Sequence, residues 1–73
     1  MRQSFKTFTL NAATEDLNTL RLKFLGDERI DYAAYELEEL KNATTFEEFN
    51  MCMHLFTKII RELNRELLIT NLK

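Results

Sequence analysis

Seventy-three residues, 45% hydrophobic with six Phe, one Gly and no Pro, make one domain with material for a core. Cys52 is the only cysteine, which excludes a disulfide framework within the chain, and one Cys with one His leaves a structural zinc site short of ligands. A formal charge of −2 excludes a global drive toward nucleic acid or anionic membrane, and no run of about 18 apolar residues is present to span a bilayer.

The first ten residues alternate polar and apolar side chains. RQSFKTFTL puts Phe8 and Leu10 on one face and Phe5 on the other, which predicts an extended arm or one short strand. A lone strand needs a partner edge, so the arm is expected to pair with its copy, pack along the helices or add to a foreign sheet.

Residues 12–25 predict a first helix, with Asn11 as N-cap, Glu15 and Asp16 near its positive end and Arg21 and Lys23 near its negative end. Ala13, Leu17, Leu20 and Phe24 form its apolar stripe, and Gly26 suits the left-handed residue that ends a helix. Leu20, Leu22 and Phe24 also alternate with Arg21 and Lys23, a strand pattern that competes over residues 19–25. The caps at both ends favour the helix.

Asp27 is placed to cap a second helix over residues 28–42, whose inner face is Ile30, Ala33, Ala34, Leu37 and Leu40. Thr45 with Glu48 forms a capping box at the start of a third helix over residues 46–69. In that helix Phe46, Phe49, Met53, Phe56, Ile60, Leu63 and Leu67 recur at steps of three and four, one stripe along roughly 36 Å. Cys52 and Ile59 widen the stripe to about 140°, enough to pack against two neighbours. The tail after it either frays or continues the helix, with Thr70 and Asn71 favouring fraying. The expected fold is therefore all-α: a small three-helix bundle or hairpin with a long C-terminal helix and an extended N-terminal arm.

Charge is segregated along the chain. Residues 27–48 hold eight acids against two bases, a local net of −6, while the segments on either side are each +2. Glu28, Asp31, Tyr35, Glu38 and Glu39 share the outer side of the second helix, a carboxylate face suited to a basic protein groove or to a second subunit. His54, Lys58, Arg61 and Arg65 form a continuous basic line on the third helix. It is expected either to meet phosphates or an acidic protein, or to be a solvated face with Lys58–Glu62 and Glu62–Arg65 ion pairs. Met51, Leu55 and Ile69 lie almost opposite the core stripe and are candidate contacts for a two-fold homodimer. Such association would support a chain this short, which buries only about 60% of its unfolded surface.

Catalytic and metal chemistry find no foothold in the sequence. Cys52 and His54 point about 160° apart on a helix, so they neither chelate one ion nor form a nucleophile–base pair. Ser4, the only serine, lies in the arm. No enzyme and no cofactor is expected. A free Cys without a signal-like hydrophobic N-terminus points to the cytoplasm.

In its size, scarcity of Gly and Pro, and segregated charge, the chain is similar to the short regulatory proteins that phages use against host machinery. That likeness is compositional, covers no motif and implies no residue roles. The function expected is a non-enzymatic regulator or inhibitor docking on a larger protein. The alternatives are a nucleic-acid-associated regulator using the basic line, or a structural assembly subunit.

Overall fold

A computed structural model describes the backbone of residues 3–72 and the side chains of residues 3–70. It contains three helices, α1 (Gln3–Lys23), α2 (Glu28–Asn42) and α3 (Phe46–Leu72), and no strand among the described residues. The protein is an all-α bundle measuring 43 × 20 × 17 Å.

Each turn follows from a local signal. Gly26 sits at φ 80°, a left-handed conformation that would strain any residue with a Cβ, and it turns the chain out of α1. Asp27 then caps α2, its carboxylate accepting from the Arg29 backbone N–H at 2.9 Å. At the next turn the Thr45 hydroxyl accepts from the Glu48 N–H at 3.1 Å, one half of the predicted capping box. The Glu48 carboxylate reaches back one residue further than the motif requires, accepting from the Thr44 N–H at 3.4 Å.

Among the described residues twelve apolar side chains are buried, drawn from all three helices and the α2–α3 turn, with Leu17, Leu40, Phe49, Phe56 and Leu63 the largest of the fully enclosed ones. α2 packs most extensively on α3 and less on α1, while α1 and α3 meet along a narrow strip. That strip leaves a groove of about 200 Å³ lined by Phe8, Ala12, Met53, Phe56 and Ile60 among others.

Several expectations are corrected. Residues 3–10 are not an extended arm but the first turns of α1, and Asn11 lies inside that helix rather than capping it. Tertiary contacts hold these turns in place. The Phe5 ring meets Phe49 at 6.0 Å, and the Lys6 ammonium donates to the Ala43 carbonyl at 2.8 Å, satisfying an acceptor at the end of α2. Met1 and Arg2 lie outside the described residues. Residues 19–23 are helical, which settles the strand alternative there, and α1 ends before Phe24. α3 does not fray at Thr70 but continues to Leu72. Finally, Phe46 leaves the core stripe. It is 58% exposed because it opens α3 at the turn, one step above the layer that Phe49 closes.

These contacts also fix the topology. α1 starts beside the α2–α3 turn and ends near the start of α2, so α1 and α3 run parallel with α2 antiparallel between them.

Candidate functional site: two opposed charged helix faces

Arg29 organises the end of the bundle away from the α2–α3 turn. It stands in the first turn of α2, next to the buried Ile30, so its guanidinium is carried across toward α3. There it donates to Glu62 at 2.8 Å and to both oxygens of Glu66, the longer of these contacts 3.0 Å. On its own helix it donates to Asp27 at 2.6 and 3.0 Å, and its charge lies 6.0 Å from the Phe24 ring. The side-chain bond from Arg29, followed by its backbone N–H, holds the Asp27 carboxyl at about 2, against an ordinary 3.8. Glu66 is lowered by the same guanidinium.

A folded-state pKa below the unfolded one stabilises the fold while the group is ionised. That stability is complete above 3.8 and is lost as pH falls toward 2. Arg29→Met is therefore expected to flatten the acid limb of the melting temperature over this window. Equal acid slopes for Arg29→Met and wild type in thermal melts would contradict the assignment.

The cluster changes the reading of the basic line. One of the two readings of the line has Glu62 pairing with Lys58 and Arg65 on α3 itself, yet its carboxylate is engaged by Arg29. Among the described residues, Lys58, Arg61 and Arg65 have no carboxylate partner within ion-pair distance. With His54 they are exposed and border a shallow concavity of about 660 Å³ that runs along α3 from Asn50 to Arg65. Every lining residue belongs to this one helix. Met51, Leu55 and Ile69 are exposed at 67%, 41% and 49%; Leu55 is a helical neighbour of Lys58, Met51 of His54 and Ile69 of Arg65.

The acidic face of α2 is the counterpart. Glu28, Asp31, Tyr35, Glu38 and Glu39 are all exposed. Among the described residues Glu38 alone in this set has a cation nearby, Lys41 at 3.5 Å one turn along. A concavity of about 560 Å³ is lined by Glu28, Asp31, Tyr32, Tyr35 and Glu36. Glu39 beside the Tyr35 hydroxyl raises its pKa, so the phenol stays a neutral donor. Tyr32 and Glu36 went unmarked in the sequence, although both lie within a turn of Tyr35. Arg29 also went unmarked. Its signal was a lone base among acids, on the flank of the inner face, with Glu62 and Glu66 one turn apart on α3.

Cys52 and His54 are separated as their spacing dictates: Cys52 packs against the core and His54 is exposed. Partial burial, with the carboxylates of Glu36, Glu39 and Glu48 nearby, pushes the Cys52 thiol up and keeps it from the reactive thiolate form. No three His, Cys, Asp or Glu side chains converge on a metal-sized site among the described residues. No helix among them is long and apolar enough to cross a membrane.

Compared with known protein families, curated proteins and solved structures, the chain matches none.

Proposed function

We propose that this protein is a non-enzymatic regulator that docks on a larger protein through the acidic, tyrosine-bearing face of α2. The observation that carries this reading is the state of that face. Glu28, Asp31 and Glu39 have no cationic partner among the described residues, and Tyr32 and Tyr35 stand between them at 63% and 60% exposure. Carboxylates left unneutralised on one rigid helix present a directional negative field to a basic groove. Exposed tyrosines add large contact area at low entropic cost, and their hydroxyls bond at the rim.

A nucleic-acid reading draws on the basic line of α3, whose three cations are likewise unpaired. Its three positive charges sit in a chain whose net charge is −2 and come with no groove-reading motif.

Affinity capture from host lysate, with and without nuclease, separates the two. The expected result is one stoichiometric protein that survives nuclease. A variant carrying Glu28→Lys, Asp31→Lys and Glu38→Lys should lose it by more than about tenfold, the size of a few disrupted charge contacts. Undiminished capture by that variant would sink the acidic-face reading. Recovery that collapses with nuclease, and falls steeply with salt, would transfer the function to the basic line.

A further inference from the structure

The two charged faces match each other. The acidic residues of α2 run from Glu28 to Glu39 and the basic line of α3 from His54 to Arg65, both covering twelve residues, about 17 Å of helix from first to last. The basic line advances in steps of four, three and four, while Glu28, Asp31, Tyr35 and Glu38 advance in steps of three, four and three, with Glu39 adjoining. Each also carries apolar surface beside the charge, Tyr32 and Tyr35 on α2 and Met51 and Leu55 on α3. Apart from Glu38, which meets Lys41, neither finds a complement among the described residues. Glu62, the carboxylate best placed to quench the line on α3, is held by Arg29 instead.

We infer that the acidic face of α2 docks on the basic line of α3 in a second copy of this chain, giving head-to-tail self-association. In an antiparallel helix pair with Glu28 opposite Arg65, Asp31 then stands beside Arg61 and Glu39 opposite His54, while Lys58 faces Tyr35 with Glu38 within a turn of it. Both faces turn away from the bundle axis, but on different helices, so one contact engages one face of each kind. Every added copy leaves a free acidic face at one end and a free basic line at the other, so growth does not stop at two copies unless a ring closes. The association itself does not rest on the proposed regulatory role. One consequence does: a copy engaged this way has its α2 face covered, so self-association and partner docking exclude each other.

Charge swapping on purified protein alone tests the contact. One variant carries Glu28→Lys, Asp31→Lys and Glu38→Lys; the other carries Lys58→Glu, Arg61→Glu and Arg65→Glu. All six residues are exposed, so both variants should keep the wild-type circular dichroism. By sedimentation at low salt, wild type should grow beyond a dimer as concentration rises, and about 0.5 M salt should weaken it at least tenfold. Each variant alone then presents two faces of like sign and should sediment as a monomer. Mixed in equal amounts, each supplies the face the other lacks, and the oligomers should return. A mixture that stays monomeric, or variants that associate alone as well as wild type, would overturn the inference. So would a wild type that is monomeric at every concentration, or a dimer that either charge-swapped variant alone still forms. Should a variant fail to fold, wild-type oligomers indifferent to salt would overturn it equally.

Discussion

Phe56→Ala is expected to destabilise the protein by about 3–5 kcal/mol, the range for removing a buried phenylalanine ring. Phe56 is 2% exposed in the middle of α3, and it floors the groove where α1 and α3 barely meet. With so little of α1 there to collapse inward, the cavity stays open and the cost falls toward the upper end. A chain of 73 residues is expected to hold roughly 4–11 kcal/mol in total, so the variant loses a large part of its folded population. Urea unfolding followed by circular dichroism measures it. An unchanged midpoint would mean that Phe56 is not a core residue.

Ala33→Leu should be harmful for the opposite reason. Ala33 is 0% exposed on the inner face of α2, where the absence of a longer side chain lets the helices approach. Three extra carbons must push α2 off its neighbours, at about 1–3 kcal/mol. In a domain this size each kcal/mol lowers the melting temperature by about 4–8 °C. The same change at Ala34, which is only partly buried, should cost less. If Ala34→Leu were the worse of the two, the assignment of the close contact to Ala33 would be wrong. Leucine is nearly as good a helix former as alanine, so propensity does not account for the difference.

The second and third helices could be read from the chain because their signals are local and agree. Asp27, Gly26 and Thr45 mark boundaries that backbone chemistry enforces, and the alternation of steps three and four picks out Phe49, Phe56, Ile60 and Leu63 without knowledge of neighbours. The N-terminal segment was misread because its local pattern is ambiguous. Thr7, Phe8 and Thr9 favour extended backbone, and Thr9 interrupts the helical stripe from Phe5 to Ala13. Its helix is fixed by contacts with Ala43 and Phe49, far along the chain, which no short window contains. Tertiary context overrides weak propensity here.

The charged faces were visible for the same reason that the stripes were: periodicity sorts side chains around a helix. What periodicity does not give is the occupant of each carboxylate. Glu62 is an equally good neighbour for Lys58, Arg65 and Arg29 until the helices are packed. Only then does Arg29, gripped through both oxygens of Glu66, also take one oxygen of Glu62.

The two ends of the bundle are closed by different forces. At the α2–α3 turn the chain is continuous, and a ring contact and a lysine–carbonyl bond fasten the start of α1 to it. At the far end, beyond the core, one guanidinium gathers Asp27, Glu62 and Glu66. One side chain carries all three contacts, so removing Arg29 releases Asp27, Glu62 and Glu66 together. Ionic strength acts on this end and scarcely on the other. The molecule is thus hinged at its turn and latched at its tip. The last turns of α3 beyond Glu66 hang outside the latch, so concentrated salt should loosen the protein from that tip inward while the aromatic end stays shut.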